Sequence, residues 1–249
     1  MAQIEFHGLT KRFGAVTAVD NLTFNLAPGR VTGFVGANGS GKTTTIRLVL
    51  GLTRPSDGSV SIDGKSYAEL SDPLRTIGAM VDPNVFHPRR SGRNALRVIA
   101  RAADIPDGRV DQVLEIVGLT GAARRRAGGY SMGMRQRLAL AAALLGDPET
   151  LVLDEPANGL DPQGVHWLRG LIRSMAAEGR TIFVSSHLLA ELAQTIDDVV
   201  VIAEGRLVTH QPMAGLLDRA DGASLEDVYL ELTVPGHPST SALTRKETS

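Results

Sequence analysis

The chain has 249 residues, of which 43% are hydrophobic and 21% charged, and this composition excludes wholesale disorder. Its apolar runs, such as residues 138–145, are shorter than the roughly 20 residues of a membrane span, and residues 1–5 open no secretory signal, so we expect a soluble protein of the cytoplasm. The net charge of −1 gives no indication of a nucleic-acid partner, and the absence of cysteine excludes disulfides, thiolate metal sites and a cysteine nucleophile.

Short apolar runs with strand character alternate with helical patterns along the chain. Strands are predicted at residues 31–35, 77–81, 150–153, 181–184 and 199–203. Helices are predicted at residues 43–50, 132–145, 165–177 and 188–195. Continuously apolar strands separated by helices are typical of a mostly parallel sheet that helices cover on both faces. The expected fold class is therefore α/β.

Other segments depart from this alternation. Residues 2–27 and 58–64 indicate a small antiparallel element beside the main sheet, because Val60-Ser61-Ile62 followed by Asp63-Gly64 is a hairpin signal. Residues 85–130 show no strand pattern and are predicted to form an inserted helical lobe. Residues 233–249, which are rich in Ser, Thr, Pro and Gly, are predicted to be a mobile tail.

The strongest signal is a glycine-rich loop that follows the strand predicted at 31–35 and opens a helix. Residues 36–43 form a complete G-x-x-x-x-G-K-[ST] motif, which favours a phosphate site over an ordinary glycine turn. Glycines let backbone N–H groups turn around phosphate oxygens, and the helix N-terminus adds partial positive charge. We expect Lys42 to bridge the β and γ phosphates and the Thr43 hydroxyl to hold Mg²⁺. The predicted nucleotide-binding residues here are Gly36, Ala37, Asn38, Gly39, Ser40, Gly41, Lys42, Thr43 and Thr44.

An apolar strand at 150–153 ends in two acids, Asp154 and Glu155. In open α/β sheets ligands bind at the carboxyl ends of the strands, so both acids are expected to face Mg²⁺ and the γ-phosphate. Neighbouring strand residues point to opposite faces, which favours different roles. Asp154 is expected to hold Mg²⁺ directly or through water, and Glu155 to act as general base on the attacking water.

A histidine, His187, follows the strand predicted at 181–184. A lone histidine is more often a satisfied surface residue. At the same edge of the sheet as the two acids, however, it can reach a γ-phosphate, and this position favours a catalytic role.

Residues 131–137, which precede Asp154 by 23 residues, resemble the signature of ABC (ATP-binding cassette) ATPases. Together with the loop at 36–43, the two acids, Asn158-Gly159-Leu160-Asp161 and His187, this resemblance covers about residues 2–232. The chain is similar in particular to the ATPase subunits of bacterial drug and antibiotic exporters of the daunorubicin- and bacitracin-resistance type. Residues 224–230 also resemble the segment that closes such cassettes.

The resemblance implies a P-loop NTPase fold, a RecA-like mostly parallel sheet with an N-terminal antiparallel β subdomain and a helical subdomain inserted at about residues 85–147. The implied cofactors are ATP and Mg²⁺. The implied activity is ATP hydrolysis that energises export through separate integral-membrane permease subunits, at the cytoplasmic face of the membrane.

The resemblance also implies a homodimer, in which each ATP lies between the loop of one chain and the signature of the other. Ser131 and the backbone N–H of Gly133 are then expected to donate to the γ-phosphate, and Asp161 to touch the opposite nucleotide site. Phe13 occupies the place of an aromatic residue that stacks on adenine; core packing is its alternative.

Three positions depart from the family pattern. Met132 and Met134 replace the usual first glycine and the glutamine of the signature. Asp82 stands where the family has glutamine, or glutamate in the antibiotic-exporter branch, and adds charge near Asp154 and Glu155. We hypothesise that Asp82 contacts Mg²⁺ through a water; a solvent-facing loop residue is the alternative.

Residues 85–137 hold 11 arginines, no lysine and 4 acids, although the whole chain is nearly neutral. This excess of positive charge has two interpretations. It indicates either a solvated helical surface or a face that docks on a partner protein or on membrane headgroups. In the family this lobe contacts the permease, so Arg89, Arg90 and Arg93 either serve that contact or only solvate the face.

Three other classes of protein fit the sequence less well than an exporter subunit. A soluble ABC ATPase acting on DNA or ribosomes usually has two cassettes or a long coiled-coil insertion, for which 249 residues leave no room. A GTPase or small-molecule kinase has no use for the signature, and the chain has no Asn-Lys-x-Asp motif for guanine. A regulatory cassette that does not hydrolyse ATP is disfavoured because Lys42, Glu155 and His187 are all present.

Overall fold

The computed structural model describes residues 3–220 and 224–234. Within these ranges the chain forms nine β-strands: β1 (Ile4–Phe13), β2 (Val16–Leu26), β3 (Val31–Val35), β4 (Asp57–Ile62), β5 (Ile77–Met80), β6 (Thr150–Leu153), β7 (Thr181–Ser186), β8 (Asp198–Ala203) and β9 (Arg206–Pro212). The same ranges contain nine α-helices: α1 (Lys42–Val49), α2 (Pro73–Thr76), α3 (Gly92–Ala102), α4 (Asp107–Ile116), α5 (Met132–Ala143), α6 (Pro162–Ala177), α7 (Leu189–Leu192), α8 (Met213–Ala220) and α9 (Leu225–Thr233). None of these helices is both long enough and apolar enough to cross a membrane. The tail predicted at 233–249 lies outside the described residues from residue 235 onward.

The predicted mostly parallel sheet is confirmed. Six strands lie in the order β5-β6-β7-β3-β8-β9, and all neighbours are parallel except β9, which runs antiparallel to β8. Strands β3, β6 and β7 are buried along their whole length, as expected for strands covered on both faces. Leu153 of β6 pairs with Met80 of β5 and with Val184 of β7. The residues that follow these strands therefore lie along one edge of the sheet.

Two apolar clusters cover the two faces of this sheet. Successive strand residues point to opposite faces, so Phe34 and Phe183 join one cluster and Val35 and Val184 the other. On the first face the aromatic rings of Phe34 and Phe183 lie 5.0 Å apart, between the main sheet and the N-terminal strands. On the second face the sheet packs against buried apolar residues of helices α5 and α6.

The predicted antiparallel element is a three-stranded sheet in the order β2-β1-β4. The hairpin predicted at residues 60–64 is only partly confirmed. Asp63 and Gly64 do form a tight turn, with φ of 50° and 76° and an antiparallel bridge between Ile62 and Lys65. No second strand follows the turn, because β4 pairs with β1 and the chain continues from Ser66 into a capped 3-10 helix.

The lobe predicted at 85–130 contains helices α3 and α4, which pack on α5. Ser91 begins α3 by accepting a hydrogen bond from the backbone N–H of Asn94 at 3.3 Å. The facing sides of these helices are fully buried and apolar, with Leu96, Val113 and Leu138 at the centre. The lobe therefore shares one core with the main sheet through α5.

Candidate nucleotide-binding site

The glycine-rich loop lies between β3 and α1, and two of its glycines are required by close contacts. A Cβ on Gly36 would lie 2.3 Å from Ser40 Oγ and 2.7 Å from the carbonyl oxygen of Ile202. Gly41 has a φ of 104°, and a Cβ there would lie 2.4 Å from the carbonyl oxygen of Ala18. The loop is also held from outside, because the backbone N–H of Gly205 donates to the carbonyl of Ser40 at 3.0 Å.

The inner side of the loop fits an anion. Lys42 is buried, and its Nζ donates to the carbonyl oxygens of Gly36 at 2.6 Å and Ala37 at 3.2 Å. The buried Ser40 hydroxyl has no hydrogen-bond partner among the residues that the structure describes. The first N–H groups of a helix have no intrahelical partners, and helix α1 begins at Lys42 without a side-chain cap or an acid in its first turn to satisfy them. A cation, an orphaned hydroxyl and a positive helix end together suit a phosphate chain.

Thr43 and Asp154 are brought together as predicted. The Thr43 hydroxyl donates to Asp154 Oδ2 at 2.7 Å, and the buried carboxylate accepts a second hydrogen bond, from Ser185 Oγ at 2.6 Å. Hydroxyl and carboxylate oxygens are suitable ligands for Mg²⁺, which usually takes few protein ligands and completes its shell with phosphate oxygens and water. The described residues contain no group of three or more His, Cys, Asp or Glu side chains that could hold a metal by themselves. This oxygen pair therefore fits a magnesium ion bound together with nucleotide.

Glu155 lies between Lys42 and His187. Its Oε1 is 3.3 Å from Lys42 Nζ and its Oε2 is 2.9 Å from His187 Nδ1. The backbone of Glu155 has a φ of 47°, a left-handed conformation that costs a residue other than glycine about 1–2 kcal/mol. The contact with Glu155 disfavours the reading of His187 as an unengaged surface residue.

Ser185 was not predicted as a site residue. Its hydroxyl donates to Asp154 Oδ1 at 2.6 Å and accepts the backbone N–H of Glu155 at 2.9 Å. One side chain at the end of β7 therefore orients both acids at the end of β6. The only sequence signal for Ser185 was its position two residues before His187, at the end of an apolar run.

Phe13 lies at the end of β1, paired with Val16 across the hairpin to β2. The side chain is 51% exposed, and Lys11 Nζ lies 4.9 Å from the ring centroid. The core-packing alternative is therefore wrong. Strand β2 passes the glycine loop where Ala18 approaches Gly41, so this hairpin borders the loop.

The signature residues lie apart from this cluster. Ser131 is the N-cap of α5 and accepts the N–H of Met134 at 3.2 Å, while Asp161 caps α6 by accepting the N–H of Gly164 at 2.7 Å. Ser131 and Asp161 are exposed, and Gly133 is partly exposed. No hydrogen bond within the described ranges joins these three residues to the loop at 36–43 of the same chain.

Asp82 follows β5 and is exposed. Its Oδ1 accepts the backbone N–H of Asn84 at 2.8 Å, so its hydrogen bond in the structure is local to its own loop. The same loop lines a groove of about 520 Å³ between the main sheet and the lobe, where Val85, Phe86 and Ile99 supply apolar walls.

Comparison with known proteins agrees with this geometry. Residues 19–158 match the family described as ABC transporter. The bacitracin transport ATP-binding protein BcrA of Bacillus licheniformis is 44% identical over 214 residues, which are 85% of this chain and 70% of that protein. The lantibiotic transport ATP-binding protein SrtF of Streptococcus pyogenes is 32% identical over 212 residues, 85% of this chain and 92% of that protein.

Solved structures show the same fold. The ATP-binding subunit of an ABC transporter aligns with a TM-score of 0.81 and 26% identity over 92% of this chain and 98% of that one. A dimeric bacterial ABC transporter cassette aligns with a TM-score of 0.77 and 21% identity, over 84% of this chain and 98% of the other.

A phosphate loop beside paired strand-end acids, with a helical lobe that carries the signature, defines a nucleotide-binding cassette of the P-loop class. The chain belongs to the ABC transporter family. Its similarity to the antibiotic-exporter branch, predicted from the signature and the residues around it, is confirmed by the relatives named for bacitracin and lantibiotic transport.

Proposed function

We propose that this chain binds and hydrolyses ATP as the energising subunit of an exporter, working as a homodimer on separate membrane subunits. The observation that carries the proposal is the set of contacts at the strand ends. Lys42 and His187 both contact Glu155, and Thr43 contacts Asp154. These are the groups that phosphoryl transfer from ATP to water requires: a cation at the phosphates, a metal-binding oxygen pair and a base.

The chemistry follows from these positions. Lys42 binds the β and γ phosphates through Nζ, which already lies inside the loop against the Gly36 carbonyl. Mg²⁺ held through Thr43 and Asp154 would neutralise charge on the phosphates. Glu155 orients a water in line with the γ-phosphorus and takes its proton as general base. His187 fixes the Glu155 carboxylate through Oε2 and reaches toward the γ-phosphate.

A second copy of the chain completes the site. Ser131, Gly133 and Asp161 lie outside their own chain's phosphate cluster and have exposed or partly exposed positions, as residues directed to a partner should. In a head-to-tail dimer Ser131 and Gly133 meet the γ-phosphate bound by the partner, and Asp161 touches the partner's nucleotide site. Phe13 stacks on the adenine bound by its own chain. Closure around ATP and release after hydrolysis then form a two-state switch set by γ-phosphate contacts.

Transport requires a membrane partner, which we place at the cytoplasmic face of the membrane. The apolar groove beside Asp82 is the docking site proposed for a permease segment. Arg89 and Arg90 are exposed and follow the groove residues Val85 and Phe86 closely in the chain, whereas Arg93 forms an ion pair with Asp111 within the lobe. Only the first two arginines therefore fit a role in docking. The names of the relatives favour antibiotics or similar compounds as the exported class.

The proposed activity is tested with purified wild-type protein and two variants, by ATP binding in the presence of Mg²⁺, phosphate release and size-exclusion chromatography. Lys42→Ala is expected to weaken ATP binding about tenfold or more, because the buried ammonium is lost from the loop. Glu155→Gln is expected to bind ATP normally, to accumulate an ATP-bound dimer, and to lose roughly 100-fold or more in hydrolysis, since the base is gone.

Matched controls are Lys65→Ala and Glu115→Gln, which change exposed residues away from the site. Both are expected to behave as wild type. A wild-type protein that retains no adenine nucleotide with Mg²⁺, and that Lys42→Ala leaves unchanged, would contradict the proposal. A Glu155→Gln variant with normal turnover would show that the base is wrongly assigned.

A further inference from the structure

One buried amide joins the signature helix to the turn that carries Glu155. Gln136 lies in the second turn of α5 and is 4% exposed. Its Nε2 donates to the carbonyl of Asn158 at 2.8 Å and, more weakly, to that of Glu155 at 3.5 Å. Because the groups facing it are both carbonyl oxygens, the amide can present only its nitrogen to them.

The turn held by this amide begins with the proposed general base. The backbone N–H of Asn158 donates to the carbonyl of Glu155 at 3.2 Å, so Gln136 bonds to both ends of the turn. Glu155 has a φ of 47°, which residues other than glycine rarely adopt. Such a conformation persists only where the surroundings impose it. Gln136 is one of the groups that hydrogen bond to this turn.

The first turn of α5 contacts the same segment further along. Gly159 has a φ of 75°, and a Cβ there would lie 2.5 Å from Met132 Sδ, so the methionine side chain covers this glycine. A Cβ on Gly133 would lie 3.5 Å from the Gly159 carbonyl oxygen. Helix α5 thus contacts the segment 155–160 at three successive points.

We propose that Gln136 is a positioning residue that couples the two ATP sites of the dimer. The proposal rests on the proposed function, in which Ser131 and Gly133 contact the partner's γ-phosphate. Fixing the start of α5 on the partner's nucleotide fixes Gln136, and its amide then holds the Glu155 turn of the chain's own site in the left-handed conformation. Each nucleotide is therefore sensed by the base that acts on the other one.

The test uses Gln136→Met, which keeps the length and volume of the side chain and removes the donor. ATP affinity at the chain's own loop is expected to stay within about twofold of wild type, because the Gln136 amide hydrogen bonds to Glu155 and Asn158 and not to a residue of the loop at 36–43. The kcat for hydrolysis is expected to fall about tenfold, and the Hill coefficient for ATP to fall from near two toward one.

A second variant and two structural readouts separate this role from simple destabilisation. Gln136→Asn keeps an amide on a side chain that is shorter by one methylene. Its kcat and Hill coefficient are expected to lie between those of wild type and Gln136→Met. The ring centroid of Trp167, the only tryptophan of the chain, lies 4.1 Å from the Arg137 guanidinium carbon. The fluorescence emission of Trp167 therefore reports whether α5 and α6 stay packed. Amide hydrogen exchange in the segment 155–160 should rise in both variants.

The matched control is Gln112→Met, the same change at an exposed glutamine of α4. It should match wild type throughout. If Gln136→Met lowers thermal stability while kcat, Hill coefficient and exchange at 155–160 stay at wild-type values, Gln136 is only structural and the proposal fails. A wild-type protein without ATPase activity would instead overturn the proposed function, and this inference with it.

Discussion

Ser185 has two hydrogen bonds that arrange the acids around it. Its hydroxyl donates to Asp154 and accepts the N–H of Glu155, so two neighbouring carboxylates are held in different settings. Asp154 is buried and contacts Thr43, and Glu155 lies beside Lys42 and His187. The different roles that we propose for these two adjacent acids therefore correspond to different surroundings.

Asp82 stands where the resemblance to ABC ATPases leads us to expect glutamine, or glutamate in the antibiotic-exporter branch. We predict that Asp82→Asn raises the Mg²⁺ concentration needed for half-maximal ATPase activity several-fold, because it removes a charge that attracts the hydrated ion. Asp82→Gln introduces the glutamine that the resemblance leads us to expect, and this variant should change the rate of ATP hydrolysis too. The measurement is ATPase activity over a Mg²⁺ titration, with the exposed Asp104→Asn as control. Equal rates across the series would remove Asp82 from the site.

Some site residues could be predicted from the sequence and others could not. Lys42 and Thr43 belong to a contiguous motif, and Asp154, Glu155 and His187 follow strands that the apolar pattern reveals. Ser185 and Gln136 were given no role. Their contacts depend on the register of β6 against β7 and on how α5 packs on the segment 155–160, which no local pattern records.

At the scale of elements, the continuous apolar runs predicted the first and last residues of β3 and β6 correctly. For several other elements the observed ends differ from the predicted ends because of tertiary contacts. Strand β7 extends to Ser186 because its last residues pair with Phe34 and Val35. Helix α6 begins at Pro162, three residues before the predicted start, because Asp161 caps it. Helix α7 is shorter than the predicted 188–195, since the chain turns where the Thr195 N–H donates to Leu192.

The junction of β3, the loop and α1 depends on Gly41. We predict that Gly41→Ala lowers the free energy of unfolding by about 2 kcal/mol or more, because a Cβ would meet the Ala18 carbonyl at 2.4 Å and the φ of 104° excludes ordinary side chains. ATP binding should weaken in parallel as the loop shifts. Chemical denaturation and nucleotide titration measure the two effects.

The matched control is Gly170→Ala, in the interior of α6, where a Cβ would meet no atom within 4 Å. This substitution should raise the free energy of unfolding by about 0.5–1 kcal/mol, since alanine favours a helix. If Gly41→Ala proved as stable as Gly170→Ala, the steric account of the loop would be wrong.

At the scale of the whole molecule, charge divides the lobe into two parts. Arg93 and Arg97 form ion pairs with Asp111 and Asp107, which tie α3 to α4. Six exposed arginines of the lobe have no ion pair among the described residues. Five of them lie on two segments joined by a bridge between Ser91 and Arg126: Arg89, Arg90, Arg124, Arg125 and Arg126. Most of the unpaired positive charge of the lobe is therefore concentrated on these two segments, one of which closely follows the groove residues Val85 and Phe86.

This concentration predicts a charge-dependent membrane partner. Arg90→Glu should leave ATPase activity of the free protein unchanged and should reduce co-purification with membranes containing its cognate permease about tenfold. Arg101→Glu, at an exposed arginine of α3, is the control and should have little effect. Wild-type protein that stays out of such membranes would favour the alternative of a soluble ABC ATPase.

The turn between β8 and β9 has a consequence for truncation. Its Gly205 donates to the carbonyl of Ser40 and accepts the N–H of Asp20, so it supports the phosphate loop and β2 together. Although the nucleotide motifs end at His187, a fragment cut there would lack this brace. We therefore expect that a fragment that keeps the proposed triphosphate site supported must extend through β9, to Pro212.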